Sequence, residues 1–92
     1  MNSSIWGPPA WFFLHSIAMA YPINPTFNDK RSMLAFFDSL AGILPCLKCK
    51  INLQKHMEKI QLSYKILESR ETFYEWVNNL HNEVNKSLGK RV

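Results

Sequence analysis

The sequence predicts an all-α protein, a four-helix bundle built as a single domain over residues 1–92. Two observations predict this fold. Apolar side chains recur at helical spacing in four successive segments, and no segment shows the alternation of apolar and polar residues that is typical of a strand. The connections between the segments are short, as they are in helical bundles. A chain of 92 residues also has the size of one small domain.

The first predicted helix follows a frayed lead at residues 2–4 and reaches Ala20. Pro8 and Pro9 suit its first turn, where a backbone N–H has no partner within the helix. One face of this helix carries Trp11, Leu14, His15, Ala18 and Met19. Because His15 lies in this apolar stripe, it is either a satisfied core histidine or a contact to a ligand.

The second predicted helix follows a proline-punctuated loop at residues 21–25 and ends near Leu44. Thr26 or Asn28 is its candidate N-cap, and Asp29 lies in its first turn. Its inner stripe consists of Met33, Phe36, Phe37, Leu40, Ile43 and Leu44. These are ordinary core positions, and no chemistry is predicted for them.

The third predicted helix begins at the two cysteines and reaches about Lys59. Pro45 disfavours helical geometry at Leu44, so one helix stops there and Cys46 lies at the N-terminus of the next. Unpaired amides and the helix dipole favour the thiolate form of a thiol at that position. The inner side of this helix carries Cys46, Cys49, Leu53, Met57 and Ile60. The cysteine pair is therefore expected to face the bundle.

Cys46 and Cys49 are the only cysteines of the chain, and their spacing allows a disulfide. Redox chemistry and metal binding are the two chemical interpretations of such a pair. A zinc site needs further ligands, but the three histidines of the chain are dispersed and form no second ligand pair, so no metal is predicted. A non-enzymatic helical interaction module with structural or metal-binding cysteines is the alternative that stays open.

A polar connector at residues 61–68 leads to the fourth predicted helix, which has Ser69 as its N-cap and Gly89 as its terminating residue. Its core stripe consists of Phe73, Val77, Leu80, Val84 and Leu88. Asn78, His81 and Asn85 lie along one flank of that stripe. Asparagine is a poor helix former and a buried amide needs partners, so the flank either contacts a polar ligand or is exposed to solvent.

The composition excludes several classes of protein. A hydrophobic content of 47% excludes disorder. The net charge of +4 comes from basic residues scattered among acidic ones, so no nucleic-acid partner is predicted. No apolar run is long enough to cross a bilayer and no signal segment is visible, so no membrane partner is predicted.

Three separated motifs occur in order over nearly the whole chain. They are Trp6-Gly7-Pro8-x-x-Trp11-x-x-Leu14-His15, Pro45-Cys46-x-x-Cys49, and Trp76-x-x-x-Leu80-His81-Asn82-Glu83-Val84-Asn85-x-x-Leu88-Gly89-Lys90. Together they resemble the Erv/ALR family of FAD-linked sulfhydryl oxidases. The resemblance implies a four-helix bundle that binds FAD noncovalently and is commonly a homodimer.

The resemblance also implies roles for single residues. Cys49 would be the sulfur beside the flavin, and Cys46 would be the interchange sulfur that a substrate thiolate attacks. Electrons would pass through the Cys46–Cys49 disulfide and FAD to O2, giving H2O2. The implied contacts to FAD are Gly7, Trp11, His15, Asn78, His81, Asn82, Val84, Asn85 and Lys90.

The chain departs from cellular members of that family in its cysteines. Those members usually carry a structural disulfide that holds a short fifth helix, and a distal shuttle pair, and this chain has neither. A thiol-containing protein or a separate dithiol shuttle is therefore expected to reach Cys46 directly. The short form resembles the enzymes of large DNA viruses, which implies the host cytoplasm or the virion as the location if the protein is viral.

Overall fold

The computed structural model describes residues 1–89 and contains four α-helices. They are α1 (Ser3–Ala20), α2 (Phe27–Ile43), α3 (Leu47–Lys59) and α4 (Arg70–Ser87), with a 3₁₀ turn at Ile66–Glu68 between α3 and α4. This part of the chain contains no strand and no fifth α-helix, and the predicted all-α four-helix fold is confirmed. None of its helices combines the length and the apolarity that crossing a lipid bilayer requires.

Helices α2 and α4 begin and end where local chemistry predicts. Of the two candidate caps of α2, Thr26 is the observed one: its Oγ1 accepts a hydrogen bond from the Asp29 N–H at 3.1 Å, and the Asp29 carboxylate accepts one from the Thr26 N–H at 2.8 Å. Ser69 caps α4 through its hydroxyl. Gly89 follows α4 with a φ of 73°, a left-handed conformation that glycine adopts without steric cost.

Helix α1 begins earlier than predicted. Asn2 is its N-cap, because the Asn2 side chain accepts a hydrogen bond from the Ser4 N–H at 3.0 Å. Ser3 and Ser4 therefore belong to the helix, and the expectation of a frayed lead is wrong. Pro8 and Pro9 lie inside α1 rather than in its first turn.

Helix α4 is the central element of the bundle. It packs against α1, α3 and the 3₁₀ turn, while α2 packs against α3. The buried apolar core consists of Leu14, Ala18, Tyr21, Phe37, Ala41, Leu53, Leu67, Phe73, Trp76, Val77 and Leu80. The Phe37 ring meets the Trp76 ring edge to face with centroids 5.0 Å apart, and it meets the Phe73 ring at 5.8 Å. Aromatic rings of α2 and α4 thus form the centre of the core.

Residues of the predicted apolar stripes are buried or half-buried in the middle of the helices, but several at the helix ends are exposed. Met19, Ile43 and Leu88 were expected inside but are exposed, and each lies at the last turn of a helix or just past it. The connector after α3, predicted to be polar, contributes the fully buried Leu67. The Tyr21 hydroxyl donates a hydrogen bond to the Leu67 carbonyl at 2.6 Å, which ties this connector to the end of α1.

Candidate functional site

Cys46 and Cys49 form a disulfide at the start of α3. Their Cα atoms are 5.2 Å apart, within the ordinary range for a disulfide. Cys46 is the N-cap of the helix, and its Sγ accepts a hydrogen bond from the Cys49 backbone N–H at 3.1 Å. The predicted position of Cys46 at a helix N-terminus is confirmed. This helix end favours the negative charge that develops on a sulfur when the disulfide opens.

A cavity of about 530 Å³ lies beside the disulfide, bounded by α1, α3, α4 and the C-terminal half of α2. Cys49 lines this cavity and Cys46 does not. Its apolar walls include Trp6, Trp11, Leu40, Leu44, Leu53, Leu80 and Val84. Its polar side chains include His15, Asn52, His56, His81 and Asn85. The two sulfurs of one disulfide therefore have different surroundings.

At the cavity, helices α1 and α4 contact each other through aromatic and imidazole side chains. Trp11 stacks on His81, with ring centroids 4.1 Å apart and 6° between the planes. His15 Nε2 lies 2.9 Å from His81 Nδ1, so one of these nitrogens donates a hydrogen bond and the other accepts it. We refer to Trp11, His15 and His81 as the ring cluster. It joins side chains of the first and last helices, with the His15 ring tilted by 41° to Trp11 and by 44° to His81.

Burial of His15 makes the ring cluster sensitive to pH. Removal from water lowers the pKa of His15 below its usual value of 6.5. The folded protein therefore favours the neutral imidazole, and the unfolded chain binds the proton more readily. The free energy of unfolding consequently falls as the pH drops from about 6.5 toward the folded-state pKa.

We expect the melting temperature of the wild-type protein to fall more steeply between about pH 7.5 and about pH 5.5 than that of His15→Gln. Glutamine keeps a hydrogen-bonding side chain but cannot be protonated in this range. Thermal denaturation at several pH values measures the two slopes. Ser16→Ala changes the adjacent exposed residue and should keep the wild-type slope. Equal slopes for wild type and His15→Gln would contradict this account of His15.

Helix α3 contributes two polar residues to the cavity that the sequence analysis did not assign to a ligand. Asn52 and His56 both line it, and His56 Nε2 lies 3.3 Å from the Ser87 Oγ of α4. The signal that could have found them is their spacing, because residues three and seven positions after Cys49 share its face of the helix.

Most residues predicted to contact a ligand lie around this one cavity. Those that line it are Gly7, Trp11, His15, Cys49, His81, Val84 and Asn85. Asn78 is half-buried and Asn82 is exposed, and neither lines the cavity. Lys90 lies outside the described residues. Ligand contacts stay predictions for all of these residues.

The described part of the chain shows no candidate metal site. No three side chains of His, Cys, Asp or Glu within residues 1–89 are grouped so that they could hold a metal ion. The two sulfurs are bonded to each other, and His15 and His81 contact each other through their ring nitrogens.

Comparison with known proteins gives matches along nearly the whole chain. The model of the Erv1 / Alr family matches residues 8–92. The chain is 42% identical to a probable FAD-linked sulfhydryl oxidase of Acanthamoeba polyphaga mimivirus, over 100% of this chain and 64% of that protein. It is 32% identical to a putative FAD-linked sulfhydryl oxidase of invertebrate iridescent virus 6, over 98% of this chain and 85% of that protein.

The fold has matches among solved structures as well. The FAD binding domain of Erv1 from Saccharomyces cerevisiae superposes with a TM-score of 0.89 at 34% identity, over 99% of this chain and 84% of that chain. The chain spans 64% of the mimivirus protein and 46% of the mitochondrial FAD-linked sulfhydryl oxidase of Schizosaccharomyces pombe. Because the family model extends from residue 8 to residue 92 and the same helices superpose, this chain belongs to the Erv1/Alr family.

Proposed function

We propose that this chain is an FAD-dependent sulfhydryl oxidase that forms disulfides in thiol substrates and delivers the electrons to O2, giving H2O2. One observation carries the proposal: a disulfide of C-x-x-C spacing has Cys49 in a ring-lined cavity and Cys46 outside it. Such a disulfide can exchange with a substrate on one side and face a cofactor on the other. The names of the viral and mitochondrial relatives support the same activity.

The chemistry of the cavity suits FAD. The stacked Trp11 and His81 rings offer a planar surface to a planar ring system, and the Asn52 and Asn85 amides can both donate and accept hydrogen bonds. A volume of about 530 Å³ lies within the range of small-molecule sites. We assign to FAD the contacts Gly7, Trp11, His15, His81, Val84 and Asn85, with Asn78, Asn82 and Lys90 as further expected contacts.

Gly7 supports this assignment because the fold does not require a glycine there. It lies inside α1, lines the cavity, and a Cβ built on it meets no atom within 4 Å. Gly7→Ala should therefore stabilise the protein without FAD by about 0.5 to 1 kcal/mol while weakening FAD binding. Thermal denaturation without FAD and a flavin titration measure the two opposite effects. Unchanged FAD affinity in this variant would argue against a close approach of cofactor to Gly7.

Disulfide exchange at Cys46 starts the proposed reaction. A substrate thiolate attacks Cys46 Sγ, a bond forms between these sulfurs, and the Cys46–Cys49 bond breaks with Cys49 leaving as a thiolate. A second substrate thiolate then attacks the substrate sulfur of the mixed disulfide. The substrate is released as a disulfide, and both Cys46 and Cys49 are left reduced.

The position of Cys49 suits the thiolate that this exchange creates. Cys49 lies in the first turn of α3, where the helix N-terminus favours negative charge, and it lines the cavity. FAD, when bound, supplies the two-electron acceptor that reoxidises the cysteine pair and passes the electrons to O2.

A spectrum and an oxygen electrode test the proposal. The purified protein reconstituted with FAD should show flavin absorption and consume O2 with dithiothreitol, releasing one H2O2 for each disulfide formed. The alternative, a non-enzymatic helical module, binds no flavin and consumes no O2. Absence of both signals from folded protein would therefore rule out the oxidase.

The chain has no cysteine besides Cys46 and Cys49, so we propose a thiol-containing protein or a separate dithiol shuttle as the substrate.

We also propose that two copies associate through α1. Ile5, Phe12 and Met19 follow one another at intervals of seven residues, so they share one side of the helix, and all three are exposed. Phe12 is 76% exposed. An apolar row of this kind on a small domain is typical of an interaction surface.

Phe12→Glu should convert a dimer into a monomer, because a dimer places this charge in an apolar interface without a partner. Size-exclusion chromatography with light scattering measures the mass in solution. Ile23→Glu adds the same charge at an exposed apolar residue outside α1 and should leave the dimer intact. A wild-type chain that is monomeric at high concentration contradicts the proposed dimer.

A further inference from the structure

We infer that the surface around Cys46 docks an acidic substrate segment whose reactive cysteine is flanked by apolar side chains. This surface consists of Ile43, Leu47, Lys48, Lys50 and Ile51, and we call it the Cys46 patch. The inference rests on the proposed function, because it names the class of thiol substrate that Cys46 would receive.

The apolar part of the Cys46 patch lies on both sides of the cysteine in the chain. Ile43 and Leu47 are 70% and 73% exposed, and Ile51 is also exposed. Leu47 and Ile51 are four residues apart on α3, so their side chains are neighbours on the helix surface. Ile43 is the last residue of α2, immediately before the short turn that leads to Cys46. These three side chains are exposed to solvent in the described fold, and a bound peptide segment could bury them.

The charge of the Cys46 patch is positive throughout. Lys48 and Lys50 are its charged residues, and no Asp or Glu occurs between Asp38 and Glu58. Within residues 1–89 the ion pairs join Glu83 to the two lysines Lys59 and Lys86. The described carboxylates therefore leave the charges of Lys48 and Lys50 unpaired.

The position of these two lysines opposes the stability of α3. They lie at its N-terminal end, which has no acidic residue in its first turn. Cations at that end are unfavourable with the helix dipole, so fold stability does not account for them. Carboxylates of a bound segment would compensate both the lysine charges and the dipole. Charge complementarity thus favours an acidic partner.

The location of the patch favours a peptide segment over other occupants. An anionic membrane matches the charge and the apolar side chains, but it would cover Cys46, the sulfur that must remain open to thiols. A second copy of this chain brings the same lysines to a two-fold contact, where they repel. A protein segment that carries its own cysteine satisfies the charge, the apolar side chains and the chemistry of Cys46 together.

The test uses the full chain with Cys49→Ser, which leaves Cys46 as a free thiol. Three peptides of equal length are compared, and each carries a single cysteine activated as a pyridyl disulfide. The residues that flank this cysteine are Glu and Leu in the first peptide, Lys and Leu in the second, and Glu and Ser in the third. The Cys46 thiolate attacks the peptide sulfur, a Cys46–peptide disulfide forms, and the released pyridine thione gives the rate by absorbance. Dipyridyl disulfide, which is small and neutral, normalises each variant for the intrinsic reactivity of its thiol.

At low salt the Glu and Leu peptide should react about tenfold faster than the Lys and Leu peptide, and added salt should reduce this ratio. The Glu and Leu peptide should also react faster than the Glu and Ser peptide. The Leu47→Ser variant should react with these two peptides at equal rates. Adding Lys48→Glu brings the net charge of the patch from +2 to zero and should abolish the charge preference. Arg31→Glu makes the same charge change at an exposed residue of α2 and should leave the preference unchanged.

Equal normalised rates for the three peptides would overturn the inference. So would equal losses of preference in the Lys48→Glu and Arg31→Glu variants. Binding to phosphatidylserine vesicles that depends on Lys48, without discrimination among the peptides, would overturn it in favour of a membrane. Dissociation of an oligomer by Leu47→Ser, again without discrimination, would overturn it in favour of a second copy. The assay needs neither flavin nor O2, so its failure is distinguishable from failure of the proposed oxidase activity.

Discussion

Oxidation of dithiothreitol is expected to fall to the uncatalysed background in both Cys46→Ser and Cys49→Ser. The reaction needs one sulfur that forms the mixed disulfide and a second that leaves as a thiolate, and a serine hydroxyl does neither. Both variants should fold and bind FAD, because the disulfide closes a very short loop and its loss changes the stability little. Oxygen uptake measures turnover, and flavin content and melting temperature serve as controls.

The spectra of the two variants should differ, because only one of the remaining thiols lines the cavity. Cys46→Ser keeps Cys49, so its FAD-bound form is expected to show a long-wavelength charge-transfer band at alkaline pH. Cys49→Ser keeps the thiol outside the cavity and should show no such band. A band in Cys49→Ser, or wild-type turnover in either variant, would contradict the proposed roles.

Affinity for FAD is expected to fall by about tenfold or more for each of His81→Ala and Asn85→Ala. Both residues line the cavity from α4. Each polar group left without its partner costs about 1 to 3 kcal/mol, and about 1.4 kcal/mol corresponds to a factor of ten. The change at His81 also removes the ring that stacks on Trp11 and the partner of His15. The double variant should lose more affinity than either single variant, although the two losses need not add because both residues line the same cavity from one helix.

A flavin titration measures this affinity, and thermal denaturation provides a second measurement. FAD that binds the folded state stabilises it by mass action, so the double variant should melt at a lower temperature and recover part of the loss in excess FAD. Asn79→Ala is the matched control, because Asn79 lies on the same helix, is exposed and does not line the cavity. If the double variant binds FAD stoichiometrically and melts like the wild type, these two residues do not hold the cofactor.

The boundaries of the helices could be predicted from the sequence because interactions within about one turn set them. Thr26 with Asp29, Ser69 and Gly89 act through hydrogen bonds or backbone dihedral angles of their own neighbourhood. Pro45 acts on the residue that precedes it. The start of α1 differs from the prediction because Asn2 caps the helix, although this signal is also local.

The kind of site was also determined by the sequence. C-x-x-C after a proline at a helix start specifies a thiol pair near unpaired amides, and the motifs around His15 and His81 place imidazoles beside apolar stripes. Neither motif predicts the contact between these histidines, which are 66 positions apart in the sequence. Their hydrogen bond, 2.9 Å between His15 Nε2 and His81 Nδ1, forms only because α1 and α4 pack together.

The tertiary structure decided which faces are buried, and it separates two sulfurs that helical periodicity by itself places on the same side of α3. Periodicity gives the angle of a side chain around its helix axis, but it does not tell how far a neighbouring helix extends, and this is why Met19, Ile43 and Leu88 are exposed. Cys49 lines the cavity and Cys46 does not because the side chains packed between α1, α3 and α4 set the positions of these helices. Contacts between residues distant in the chain determine those positions, and no local pattern encodes them.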